Sequence, residues 1–240
     1  MLAARRLLDL DPKKLAEVIG TTPVDALESV QRAGRYLRRA RRRLQESLPT
    51  TEPCLVMEAM PLRFVELKLN PRSRAGATSV LGGGQEGVVT RLHAPSVEPM
   101  LDGARGVAFG RDYGTELHEN GYLGAWVELK ERRGEWVIVP NLARDHFSDY
   151  FALVRAFWRK AGIDEAPYLF TARVKADASQ LLQLWVRDEA QGAVLRPPPT
   201  DHAIVLREMI RRPSEEVSQA FADAWHSDLY RAFGEFPPQH

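Results

Sequence analysis

The chain has 240 residues and one cysteine, Cys54. One thiol cannot close an internal disulfide, and it cannot build a zinc site from thiolates alone. No apolar run approaches the roughly 18 residues of a membrane-crossing helix. The first residues, MLAARRLLDLDPKK, carry charges every few positions and lack the apolar core of a secretory signal. These absences predict a cytoplasmic protein with no membrane partner. Several chemistry-bearing motifs are missing too. Gly82-Gly83-Gly84-Gln85-Glu86-Gly87 is followed by no Gly-Lys-Ser/Thr, so it is not a Walker phosphate loop. No G-x-S-x-G nucleophile elbow occurs. His93, His118, His146, His202, His226 and His240 show no paired metal spacing. His146, near Asp145 and Asp149, comes closest and reads as a surface feature. No cofactor, no metal ligand and no catalytic residue follows from these patterns.

What is present starts with average globular numbers: 44% hydrophobic and 27% charged residues, which argue against wholesale disorder. Lys+Arg is 33 and Asp+Glu is 32, a formal charge of +1. That balance hides an asymmetry. Residues 1–50 hold 11 basic and 6 acidic groups, and the rest hold 22 and 26.

The basic segment reads as helical. Asp11-Pro12 supplies a cap and a proline at the first helical position, and Gly20 supplies a stop. Thr22-Pro23-Val24-Asp25 restarts the chain, with Thr22 and Asp25 placed for a reciprocal cap. The pattern predicts a helix over about 23–33, weakened at Gly34, and a third over about 35–48. Residues 15–36 resemble a helix-turn-helix, because Ala16 and Gly20 are four apart and allow close approach and a turn. Asp25 and Glu28 on its second helix are unfavourable beside phosphates, so a structural hairpin is the plainer reading. RYLRRARRRLQESL (35–48) carries more signal. Leu37, Ala40, Leu44 and Leu48 share one helical face, and Arg35, Arg38, Arg39 and Arg42 share the opposite one. With Arg41 and Arg43, six arginines fall within nine residues, and Arg32 lies just upstream. Most charge runs are solvated faces, but crowded guanidinium groups repel and gain from a polyanion. Arginine's planar fork also suits phosphate oxygens. These seven arginines are the candidate nucleic-acid-binding residues.

Beyond Glu52-Pro53 the period shifts towards two. Strands are predicted at 54–60, 63–69, 87–92 and 105–110, with a mobile Gly/Ser/Arg/Pro-rich loop at 70–86. A hairpin is predicted from strand 122–130, turn 131–134 and strand 135–140. Phe147, Phe151, Val154, Trp158 and Ala161 mark a helix over 142–161. Strands follow at 167–176 and 180–187, and Pro197–Pro199 reads as a stiff linker. Thr200 or Asp201 then caps a short helix to about Arg211. A final helix after Ser214 carries Val217, Phe221, Trp225, Leu229 and Ala232. The fold expected is α+β: a small helical N-terminal module (1–50), then a mainly antiparallel sheet flanked by helices (51–240).

Glu66-Leu67-Lys68 and Glu128-Leu129-Lys130 match the Glu-x-Lys of metal-dependent nucleases, and Asp112 precedes Glu128 by a tolerable gap. Alternation on a half-buried strand explains the same spacing and is the preferred reading.

The larger region resembles a known one. ELHENGYLGAWVEL (116–129), DHFSDYFALVRAFWRKAGI (145–163), APYLFTARV (166–174) and PSEEVSQAFADAWHSDLYRAFGEF (213–236) carry the resemblance. They are similar to the C-terminal region that follows the AlbA-type, Schlafen-like DNA-binding domain of many bacterial proteins. That domain itself, with its Gly-Gly-x-x-x-Ile-Gly-Val core, is absent here. The resemblance implies nucleic-acid or defence-system roles and assigns none of them to a residue. The function expected is a non-enzymatic, nucleic-acid-associated subunit of a multi-protein assembly, in a bacterial defence or regulatory system. Its partners would be DNA or RNA and other protein subunits. The alternatives are a protein-interaction scaffold, and a metal nuclease using Asp112, Glu128 and Lys130.

Overall fold

Asp11 opens the first helix of the computed structural model, which describes residues 11–47, 52–63, 92, 96–100, 103–107, 112–161, 166–177, 179–188, 192–198, 204–211 and 215–237. The Asp11 carboxylate accepts from the Lys13 amide at 3.0 Å and caps α1 (Pro12–Ile19), which ends at Gly20 with φ 72°. Thr22 Oγ1 accepts from the Asp25 amide at 3.2 Å and donates to the Asp25 carboxylate at 2.7 Å, starting α2 (Pro23–Ser47). Both caps stand where the sequence puts them. The expected break at Gly34 does not occur, and α2 runs unbroken for 25 residues. A mid-helix glycine costs about 1 kcal/mol. Ala26, Val30, Ala33, Leu37 and Ala40 pass on either side of it in one buried stripe. Burying a single Val or Leu contributes about 1.5–3 kcal/mol, so the stripe outweighs the glycine.

A seven-stranded antiparallel sheet follows. Its strands are β1 (Cys54–Pro61), β2 (Ser96–Met100), β3 (Gly103–Val107), β4 (Tyr113–His118), β5 (Leu123–Glu128), β8 (Tyr168–Lys175) and β11 (Met209–Arg211), in the order β11-β8-β1-β5-β4-β3-β2. A smaller sheet runs β10-β9-β7-β6, from β6 (Lys130–Arg132), β7 (Glu135–Ile138), β9 (Leu182–Asp188) and β10 (Gly192–Arg196). Among the described strands, only β7 and β9 pair in parallel. The architecture is α+β, as the sequence predicts.

Alternation divides the large sheet between two helical layers. Leu55, Met57 and Ala59 of β1, with Leu123, Ala125, Phe170 and Ala172, face α3 (Pro140–Ala161) and α4 (Glu215–Ala232). Met60 of β1, Tyr122 and Leu169 face the other way and share a core with Leu15, Ile19, Val30 and Leu37 of α1 and α2. The N-terminal helices therefore pack on the sheet through a common core.

Two sequence expectations are corrected. Of the predicted hairpin strand 122–130, only Lys130 pairs with 135–140, opposite Val137. β5 lies between β1 and β4, the chain leaves that sheet at Leu129, and the short β6 rather than β5 pairs with β7. Arg133 and Gly134, with φ 59° and 83°, make the two-residue turn between them. The expected helix from Thr200 or Asp201 to Arg211 is extended chain from Ile204 onward. Ile204 and Leu206 are buried while Val205 and Arg207 are exposed, a period of two. The Val174 amide donates to the Ile204 carbonyl at 2.8 Å and the Leu206 amide to the Ala172 carbonyl at 2.9 Å, and β11 then pairs with β8. Available pairing on the edge of β8 overrides local helix propensity. All but Arg63 of the strand expected at 63–69, the loop at 70–86, and all but Leu92 of the strand at 87–92 lie outside the described residues. Among the described residues no helix is long and apolar enough to cross a membrane.

Candidate nucleic-acid interface

The inner stripe of α2 fixes where its arginines point. Arg35, Arg38, Arg39 and Arg42 are exposed, and among the described residues none of the four has a hydrogen-bond or ion-pair partner. Arg32 is exposed as well, and one of its terminal nitrogens donates to the Leu62 carbonyl at 3.0 Å. The Arg43 side chain lies outside the described residues. Arg41, grouped with the phosphate set by the sequence, turns inward instead. Its Nε donates to Glu58 Oε2 at 2.6 Å and one terminal nitrogen to Thr171 Oγ1 at 2.8 Å.

Glu58 has no solvent exposure, so its carboxylate persists only with partners. Besides Arg41, it accepts from Thr171 Oγ1 at 3.2 Å and from Tyr122 Oη at 3.3 Å, and Arg173 Nε stands 3.9 Å away. Burial lowers the Arg173 guanidinium from its ordinary range and Glu58 works against that shift. Burial, then Glu58 and Glu116, push the Tyr122 phenol well up, which keeps it a neutral donor.

Register explains the convergence. Thr171, Glu58, Gly124 and Glu116 are successive partners across β8, β1, β5 and β4, so all four side-chain positions share one face. Tyr122 lies over Gly124, where an added Cβ would sit 2.5 Å from the phenol oxygen, so the close approach needs glycine. Next to it, His118 Nε2 lies 3.3 Å from Glu116 Oε2 and its Nδ1 lies 2.8 Å from Tyr36 Oη. Glu116 and His118 are each 1% exposed. The result is a polar nest under α2, joined to the helix at Tyr36 and Arg41. None of its members was selected from the sequence as a site residue except Arg41. The available signals were Glu58 alone in the apolar run CLVMEAM, and Glu116 and His118 two apart on one strand.

Asp112, Glu128 and Lys130 do come together, on another part of the fold, while Glu66 and Lys68 lie outside the described residues. Lys130 Nζ lies 3.5 Å from Asp112 Oδ2, and the Glu128 amide donates to the Asp112 carbonyl at 2.7 Å. All three border a pocket of about 370 Å³, whose walls include Leu55, Val127, Ile138 and Trp185. Among the described residues, no three His, Cys, Asp or Glu side chains are grouped to hold a metal ion. Lys130 and Asp112 are 71% and 44% exposed, and such a pair contributes about 0–1 kcal/mol. Glu128→Gln and Lys130→Met are each expected to leave the melting temperature and nucleic-acid affinity at the parent values. A divalent-metal-dependent cleavage that either substitution abolishes would establish the nuclease alternative.

Cys54 is buried, and burial pushes its thiol up to about 12, which makes it an inert packing residue. No protein-family model, curated protein or solved structure matches this chain.

Proposed function

We propose that the chain is a nucleic-acid-associated protein that binds phosphates through the exposed arginines of α2 and works within a larger assembly. The observation that carries this reading is the exposed ridge of Arg35, Arg38, Arg39 and Arg42, unpaired among the described residues, on a helix whose opposite face is anchored. Four neighbouring guanidinium groups repel one another, and a polyanion relieves the repulsion. The anchor supports the same reading. Because the buried stripe, Arg41 and Tyr36 tie α2 to the sheet, the ridge is preorganised and little ordering entropy is lost on binding.

An acidic protein surface is the second reading, since the same ridge would suit it. Changing Arg38, Arg39 and Arg42 together to Gln separates the two. The replaced groups are solvated and Gln is a good helix former, so the melting temperature is expected to stay within about a degree. Affinity for duplex or single-stranded nucleic acid is expected to fall, and the log–log salt slope to shrink by about three. Unchanged affinity and slope in a filter-binding series would remove these arginines from any phosphate role and favour the acidic-protein partner.

A further inference from the structure

We propose that Tyr36 is a nucleophile towards phosphodiesters and forms a covalent phosphotyrosine link to a nucleic-acid strand. The proposal rests on the nucleic-acid reading of α2 and adds a reaction to it. The geometry begins with the relay Tyr36–His118–Glu116, in which the contacts are 2.8 Å and 3.3 Å. With Glu116 ionised, a form that can only accept, the Nε2 facing it carries the ring proton. Nδ1 then presents a lone pair to the Tyr36 hydroxyl. Hydroxyl, base and orienting carboxylate stand in the order that activates a weak nucleophile. Tyr122, with its ring centroid 4.7 Å from that of His118, packs against the imidazole.

Burial decreases outward along the relay. Glu116 and His118 are enclosed, and Tyr36 is half-buried. Its place on α2 supplies the second observation. Arg32 is four residues before Tyr36 and Arg39 three after it, so the three occupy one flank of the helix. Both arginines are exposed, and among the described residues only one Arg32 nitrogen is engaged, by the Leu62 carbonyl. A purely structural tyrosine–histidine contact needs no such flank. A phosphodiester does, because its non-bridging oxygens gain charge stabilisation from guanidinium groups on both sides.

The step balances as a transesterification. A bond forms between Tyr36 Oη and phosphorus, and the bond from phosphorus to one sugar oxygen breaks. The phenol proton passes to His118 Nδ1, and the departing sugar oxygen takes a proton from water. Glu116 acts through His118 and is a positioning residue.

The test incubates the full chain with three end-labelled probes, an oligodeoxynucleotide, its duplex and the oligoribonucleotide of the same sequence, and quenches in SDS. Binding is followed separately by fluorescence anisotropy. A labelled protein band that survives boiling is expected, with the added nucleotide mass mapped to Tyr36. Tyr36→Phe keeps the ring and is expected still to bind nucleic acid by anisotropy, with at most a small loss from the removed His118 contact, and to lose the band entirely. His118→Gly is expected to lose the band and to regain it with added imidazole, a rescue that a structural role would not give. Binding without a covalent band on any probe, or a band mapped to another residue, overturns the nucleophile and leaves the nucleic-acid reading standing. Neither binding nor band overturns both.

Discussion

Replacing Trp225 with alanine is expected to destabilise the protein by about 3–5 kcal/mol, the range for truncating a buried tryptophan. Trp225 has no solvent exposure and joins α4 to α3 and to the sheet edge at once. Its ring lies 5.3 Å from Phe147 and 5.0 Å from Phe151, centroid to centroid, both on α3. Its indole Nε1 donates to the Arg207 carbonyl at 2.9 Å, at the approach to β11. Truncation leaves a cavity among aromatic rings and strips that carbonyl of its partner. Neighbouring ties will not compensate. The Arg144–Asp223 pair from α3 to α4 is half exposed and contributes little. For a chain of this size the loss corresponds to a fall in melting temperature of roughly 6–20 °C. Trp225→Phe keeps most of the apolar area and is expected to lose about half as much or less. Urea unfolding of both variants checks this. A Trp225→Ala protein as stable as the parent would mean that α4 does not dock on its own core.

Glu58→Gln is the second large effect, expected at about 3–5 kcal/mol despite its conserved shape. The carboxylate is the only described acidic group within ion-pair reach of Arg41 and Arg173. Taking its charge away leaves two guanidinium groups near each other, one of them mostly buried, with nothing to oppose their repulsion. Arg41→Gln should cost less, because the Arg41 side chain is 28% exposed and Glu58 keeps Thr171, Tyr122 and Arg173. The double variant separates pairwise coupling from lost packing. If Glu58→Gln unfolds at the parent's urea midpoint, the nest does not anchor α2. The rigid-ridge argument for phosphate binding would then lose its support.

These two residues mark where reading along the chain succeeds and where it stops. Trp225 was legible, since Phe221, Trp225 and Leu229 recur at helical spacing and a stripe that apolar has to be buried. Glu58 was not. A glutamate within CLVMEAM is compatible with an edge, a bulge or a buried pair, and only its neighbours decide. Arg41 shows the same limit on a helix. Its spacing sets it one residue from the buried Ala40, at the margin between the two faces, and a carboxylate 17 positions away draws it in.

The sequence by itself determined what local forces determine. It placed the caps at Asp11 and Thr22, the buried stripes of α2, α3 and α4, the exposed guanidinium ridge, and the α+β class. Each depends on contacts within a few residues or on the period of burial. Tertiary structure alone decided that β5 pairs with β1 rather than β7, that residues 204–211 run as an extended edge, and that α2 survives Gly34 without a break. It also decided that Tyr36 meets His118 across 82 positions and that Arg41 meets Thr171 across 130. The reason is register. A shift of one residue in β1 or β4 would turn Glu58, Glu116 and His118 to the opposite face, and the burial of α2 and α3 on the two sides of the sheet is what selects the register observed.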